Sequence, residues 1–243
     1  MKYATAFVML VFLQKSLFAQ TTQGEKVNQF ADVAGTFGSS RGTVALSYIY
    51  NWKLFKRKRF EAGLGLRFTS SFGVKQDYIT APAKLARTNS TPFVIVFAGQ
   101  NTDNWDTLTV QRPLVNSLNL SANFGYNFTP KWSVGFNIDL IGFSFGRSTS
   151  AILTSNGVTT TEAVAKPSSF NLLLTGDLDH GNLNSEFFLK YKLNKRWGIR
   201  AIYQFYFSEY ETTTIQQVAP DGTEVMRFRQ KQNNFGVGAS YNF

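Results

Sequence analysis

His180 is the single histidine of the chain. It stands in Gly176-Asp-Leu-Asp-His-Gly-Asn182, with Asp179 beside it and Ser185 and Glu186 a few residues on. A histidine base, a serine nucleophile and an orienting acid would make acyl-transfer chemistry, provided base and nucleophile lie within hydrogen-bond reach. The spacing argues against it, because on an extended chain Ser185 and Glu186 point to opposite faces. The expectation is a loop histidine in a polar turn, no catalytic residues, and a chain that is not an enzyme. Asp103, Asp106, Asp177 and Asp179 are loop acids that could hold calcium only loosely. No zinc spacing, calcium-loop pattern or phosphate-cradling glycine motif accompanies them. Cysteine is absent, which removes disulfides and thiolate metal sites. No metal and no cofactor are expected.

A second group of chemically capable residues is more regular. Glu61, Arg67, Asp139, Glu186, Lys190, Lys192 and Arg200 each occupy the polar phase of an alternating segment. If those phases face one interior, the charges must pair, since an unpaired buried charge is costly. The expectation is a salt-bridge network that seals and stiffens that interior; the alternative is a narrow polar conduit. Turn geometry sets Lys190 opposite Arg200, so their acids must come from other strands, with Glu61 one candidate.

The elements that position these residues are long two-residue alternations, the signature of strands with one greasy face. They run over Val27–Gly38, whose face cannot be read, Thr43–Phe55, Arg59–Phe72, Leu114–Phe128, Trp132–Phe145, Ser185–Leu193, Trp197–Glu209 and from about Met226 to Phe243. Phe207 belongs to the apolar phase of its segment. A parity slip after Ile141 suggests a bulge. In the last segment Phe235, Val237, Ala239, Tyr241 and Phe243 fall on one side and Asn234, Gly236, Gly238, Ser240 and Asn242 on the other.

The connections sort into two kinds. Phe55-Lys-Arg-Lys-Arg59, Thr129-Pro-Lys131 and Asn194-Lys-Arg196 are tight and basic. The stretches 73–113, 146–184 and 212–225 are long, and Ser39-Ser-Arg-Gly42 is a short member of the same side. Trp52, Trp132 and Trp197 each sit beside a tight turn, and with Tyr126 and Phe243 they would form an aromatic girdle. The apolar runs Pro92–Ala98 and Phe170–Leu174 lie inside long connections. They read as hairpins or strand extensions at the outer lip, and Ser155-Asn-Gly157 reads as a hairpin tip.

The chain has 243 residues, 43% hydrophobic and 16% aromatic, with 24 Phe and 10 Tyr. Its formal charge is +10, but the basic residues cluster in turns and no nucleic-acid motif accompanies them, so no nucleic-acid partner is expected. Residues 1–19 read as a secretory leader, with Lys2 before the apolar run Ala4–Leu13, and residues 20–243 as a single domain. No later run approaches a spanning helix, so residence in a membrane must come from strands, which cross only as a closed barrel.

A greasy-faced closing strand ending on an aromatic, three short turns against three long connections and a tryptophan girdle resemble the small bacterial outer-membrane β-barrels of the OmpA/OmpX/OmpW type. The resemblance implies an all-β fold: an eight-stranded antiparallel transmembrane up-and-down barrel with long extracellular loops, or else ten strands. It implies a place in the bacterial outer membrane with both termini in the periplasm. Phe235, Val237, Ala239, Tyr241 and Phe243 would then be an assembly signal read by the barrel-assembly machinery. The other implied partners are outer-membrane lipids, lipopolysaccharide and phospholipid, and an extracellular or outer-membrane protein. The implied function is non-enzymatic and loop-borne: adhesion, envelope integrity or an accessory role in a complex. A narrow pore or carrier for a small solute or apolar ligand, and a lipid A-modifying enzyme, are the alternatives.

Overall fold

The computed structural model describes residues 26–218, 222 and 224–243; the expected leader lies outside the described residues. The chain is all-β, and its principal sheet of thirteen strands is antiparallel throughout. The long strands are β1 (Val27–Phe37), β2 (Arg41–Leu54), β3 (Phe60–Gly73), β6 (Leu114–Asn127), β7 (Trp132–Gly146), β11 (Leu183–Lys192), β12 (Trp197–Glu211) and β15 (Arg227–Asn242). They match the alternating segments read from the sequence to within two residues at nearly every end. Fifteen strands, rather than eight, are present among the described residues. The additional ones are β4 (Lys75–Thr80), β5 (Thr107–Gln111), β8 (Thr149–Ser155), β9 (Val158–Pro167), β10 (Phe170–Leu172), β13 (Gln217–Val218) and β14 (Glu224–Val225), all within the long connections.

The long strands pair in sequence: β1 with β2, β2 with β3, β3 with β6, β6 with β7, β7 with β11, β11 with β12 and β12 with β15. β15 then pairs with β1, from Phe37↔Phe235 to Phe30↔Asn242, so the run returns to its start. This is the pairing of a sheet closed on itself, consistent with a β-barrel, and it leaves no unpaired edge among these strands. The parity slip falls at Leu140, one residue before the place read from the sequence: Leu120 faces Ile141 while Ser121 faces Asp139. Beyond it Phe143 and Phe145 turn outward and Ser144 is buried.

One face of these strands is apolar and open, the other polar and closed. Leu46, Leu66, Phe124, Phe187, Ile199 and Val237 are exposed on the outside. Arg67, Asn119, Asn137, Asp139, Glu186 and Gln204 are buried within. Phe207, read as outward-facing, is buried because the Arg229 guanidinium lies over its ring at 4.3 Å.

A second closed run of pairings stands on the long-connection end. β15 pairs with β4, β4 with β5, β5 with β8, β8 with β9, β9 with β12, and β12 with β15 again. Its interior is apolar: Tyr78, Leu108, Val110, Val115, Ala151, Leu153, Ala165, Tyr210 and Phe228 form one buried cluster. The hairpin tip Asn156-Gly157 has positive φ at both residues, the geometry that suits a two-residue hairpin. Of the two apolar runs in the connections, Val94–Phe97 forms a turn of 3-10 helix and Phe170–Leu172 a short strand on β7.

Candidate functional site

Local turn chemistry sets the registers that bring the interior charges together. At the tight-turn end, Thr129 Oγ1 accepts the N–H groups of Lys131 and Trp132, and Asn194 Oδ1 accepts those of Arg196 and Trp197. Both are side-chain turn locks that start the next strand at a fixed residue. β7 therefore enters with Asn137 opposite Asn123, and β12 with Arg200 opposite Lys190.

Within the first ring, Arg67 is the hub. Its Nε lies 3.2 Å from Asp139 and its Nη1 3.4 Å from Glu186, and its Nη2 donates to Asn137 at 2.8 Å. Asp139 also accepts Asn119 Nδ2 at 2.7 Å and the Asn184 N–H at 3.0 Å. Arg200 bonds to Asp32 and lies 3.5 Å from Glu186, so the two guanidinium groups share one carboxylate. Lys190 places its ammonium 4.1 Å over the Phe30 ring. Glu61 lies apart from this hub, accepting Asn28 and Asn127 amides at 2.7 and 2.8 Å. Lys192 is half-buried beside Lys190 at the mouth of a small recess of about 20 Å³ that Glu61 also lines. Such a volume holds about one water.

Asp32 is the partner that sequence reasoning missed. It lies on β1, where buried Phe30 and part-exposed Gln29 reverse the usual apolar-out pattern and make the strand's face unreadable. The polar face of β15 is used in two ways. An added Cβ at Gly238 would meet the Val33 carbonyl at 2.9 Å, Ile202 at 3.2 Å and Arg200 Nε at 3.3 Å, so this glycine serves the approach of β1 as well as the room for Arg200. One at Gly236 would come within 2.1 Å of the Gly35 carbonyl, a requirement of close backbone approach between β15 and β1.

The girdle residues gather at the tight-turn end. Trp52, Trp132, Trp197 and Phe243 are exposed there. Ring contacts link Tyr50 to Trp52 at 5.2 Å, Phe60 to Tyr126 at 4.7 Å, Trp132 to Tyr191 at 4.7 Å and Trp197 to Tyr241 at 5.1 Å. Phe235, Val237, Ala239 and Tyr241 share the outer face of β15 with Phe243.

A second charge cluster, unforeseen as a unit, clamps the His180 segment to the outside of β12 and β15. Asp177 receives Arg87, Arg229 and Lys231. Burial acts to raise its carboxyl, but the Lys231 ammonium and the two guanidinium groups outweigh that and hold it at about 2. Asp179 is pushed up to about 6, because burial exceeds the help of the Leu174 N–H and of Arg229 and Lys231. Glu209 on β12 pairs with Arg227 at 2.7 Å and stands 3.6 Å from His180 Nδ1. His180 thus faces Glu209, an acid 29 positions away, and forms its backbone bridge with Leu172. Only the folded connection could show this.

A further acid, Glu162 on β9, accepts the Val164 N–H, the Thr213 and Thr214 hydroxyls and the Thr214 and Ile215 N–H groups. Burial raises its carboxyl, yet these donors prevail and hold it at about 2. Arg41 joins the two rings: it donates to Ser208 and to the Tyr78 hydroxyl, between the Tyr78 and Tyr206 rings. Among the described residues no group of three or more acids and histidines is arranged to hold a metal ion, and no helix is long and apolar enough to cross a membrane.

No family model matches the chain, and no curated protein matches it. Among solved structures it is similar to small bacterial outer-membrane proteins. Neisserial surface protein A shares 10% identity at a TM-score of 0.36, over 91% of this chain and 100% of that one. Ail, the attachment invasion locus protein of Yersinia pestis, shares 10% identity at 0.37, over 90% and 100%. A major outer membrane protein from Thermus thermophilus shares 12% identity at 0.43, over 90% and 100%. At these identities and scores the likeness carries no argument about the task of this chain.

Proposed function

We propose that the chain is an eight-stranded transmembrane barrel of the bacterial outer membrane, with both termini in the periplasm, that performs no catalysis and acts through its outer extension. An outward apolar band around a polar interior, with aromatic residues at one rim, is the arrangement a lipid bilayer demands of strands. The observation that carries the functional reading is the second ring. The connections 73–113 and 146–184 are long, and long connections in compact domains are usually functional. Here they build a second storey with an apolar core of its own. Among the described residues the tight-turn side carries only short basic turns.

The interior supports the same reading. Arg67, Asn119, Asp139 and Glu186 are buried and linked to one another, and Gln204 is buried against Thr36, Thr43 and Asn234, which disfavours a conduit. The working surface is then the outer extension, as an adhesin, an envelope-stabilising protein or an accessory subunit of an outer-membrane complex.

Three measurements test this. Purified protein in planar bilayers is expected to give a flat trace; discrete conductance steps would sink the sealed-interior reading. Replacing 149–167 by a short turn is expected to leave heat-modifiable gel mobility intact and abolish surface attachment or partner retention. Unchanged attachment and unchanged envelope integrity in a folded variant would sink the reading of the extension. Lipid A mass spectra are expected to be the same with and without overexpression, and a shift in acyl content abolished by His180→Ala would establish an enzyme.

A further inference from the structure

Where the two rings meet on the β3–β6–β7 side, the outer wall changes character within three residues, from Phe72 to Lys75. Phe72 and Phe145 are exposed and apolar just below the junction. Lys75, Asp77 and Thr109 succeed them above it, on the outside of the second ring. A groove of about 450 Å³ opens at this boundary, with Phe72, Val74, Pro113 and Leu114 along it and Arg112 and Arg147 beside them. Val74, at 74% exposure, is one of the more exposed aliphatic side chains in the molecule.

Both arginines are set there by the backbone of the junction. Arg112 occupies the left-handed region at φ 46°, which non-glycine residues rarely adopt. Its N–H donates to the Val74 carbonyl, and the Arg147 N–H donates to the Leu114 carbonyl. The Arg147 carbonyl accepts the hydroxyl of Tyr210 from the buried core at 3.3 Å, and Arg147 Nη1 donates to the Arg112 carbonyl at 3.0 Å. Both residues are exposed, and among the described residues no carboxylate forms an ion pair with either guanidinium. Elsewhere at this end Arg87, Arg227 and Arg229 meet acids, and the buried Arg41 is held by Ser208 and the Tyr78 hydroxyl.

We infer that this groove binds the phosphorylated headgroup of an outer-leaflet lipid. The two guanidinium groups would take the phosphate and the apolar floor would take the start of an acyl chain. The argument is charge complementarity at a fixed depth. Guanidinium forks match phosphate oxygens, and they stand where the wall passes from apolar to polar. A free anion would use the arginines and ignore Phe72, Val74 and Leu114. A neutral lipid would do the reverse. An anionic amphiphile uses both, and the higher charge and extra oxygens of a phosphate monoester suit two guanidinium groups better than a single carboxylate does. The inference rests on reading the ring as a transmembrane barrel.

The test uses the full chain in phosphatidylcholine nanodiscs, titrated with a fluorescent phosphatidic acid, with native mass spectrometry counting retained lipids. Arg112→Gln/Arg147→Gln is expected to weaken phosphatidic acid binding by on the order of tenfold or more. Lys75→Gln is expected to leave it unchanged. Binding by wild type should weaken as salt is raised. Heat-modifiable mobility verifies that each variant is folded. Equal affinity in wild type and the double variant overturns the site. So does competition by inorganic phosphate alone, which would make it a free-anion site, or equal retention of a phosphate-free lipid, which would make it a bare apolar groove. A chain that does not enter the bilayer overturns the barrel reading and this site with it. One that enters but binds no phosphatidic acid overturns the site alone.

Discussion

Arg67→Met removes the positive centre of the buried network and leaves a side chain of comparable reach. Arg67 is 1% exposed and faces Asp139 at 3.2 Å and Glu186 at 3.4 Å. After the substitution Glu186 still has Arg200 at 3.5 Å and the Asn184 amide at 3.2 Å. Asp139 keeps only two hydrogen bonds, from Asn119 and Asn184. The loss therefore concentrates on one buried carboxylate left without a cation. Removing one partner of such a pair costs about 3–5 kcal/mol. The companion Arg67→Met/Asp139→Asn neutralises the orphan without changing its shape, so it should recover about 1–3 kcal/mol of that loss as a coupling energy.

The assay is urea unfolding of the full chain in phospholipid vesicles, followed by tryptophan emission. Trp52, Trp132 and Trp197 sit exposed at one rim and would leave the lipid on unfolding. The shift in midpoint converts to free energy through the slope of the transition. If Arg67→Met costs less than about 1 kcal/mol, the pair behaves like a solvent-screened surface pair. If the double variant loses as much as the two single losses added together, the charges do not interact. Either result refutes the reasoning that the interior is organised around Arg67.

Three further outcomes follow from the outer side and the closing strand. The clamp on 174–181 should respond to pH in two opposed limbs. Asp179, raised to about 6, takes up a proton on docking, so docking weakens as pH rises through that value. Asp177, held at about 2, contributes fully above the ordinary carboxylate range and loses its contribution as pH falls toward 2. Amide exchange across 174–181, corrected for intrinsic rate, should be slowest near about pH 4, and Asp179→Asn should flatten only the upper limb. Protection that rises steadily from pH 5 to 7 in wild type would contradict this. Glu162→Gln should loosen 213–215 from β9, raising the rate of proteolytic nicking there severalfold with the first ring intact; an unchanged nicking pattern would show that the carboxylate is not the latch. Gly236→Ala should cost about 1–3 kcal/mol, because its Cβ would press on the Gly35 carbonyl, with a lower folded yield on gels as readout; a wild-type yield would show that the β1–β15 seam can shift.

The strands themselves were legible in the sequence, because a lipid-like outside and a polar inside impose a two-residue period that a reader can count. Tight turns were legible for a similar reason: Asn194 and Thr129 carry local bonds to the residues that follow them. Even the bulge at Leu140 left its mark as a broken alternation. Those features depend on neighbours in the chain. The face of β1 escaped because Phe30 is buried under Lys190, a contact across the interior that no local pattern records.

The partners of the charges were decided only by tertiary structure. That Glu186 and Lys190 would face inward follows from parity. That Glu186 is shared by Arg67 and Arg200, and that Asp32 rather than Glu61 meets Arg200, depends on how the strands stagger as the sheet closes. The outer connections were the least legible part. Their strands are short, and their apolar residues serve a core assembled from β4, β5, β8, β9, β12 and β15, so no single segment shows the whole pattern. Tyr78 and Phe228 are 150 positions apart and share that core. Sequence sets which face each residue takes, since that is a property of the local chain. Which residues meet is a property of closure, and only the closed sheet supplies it.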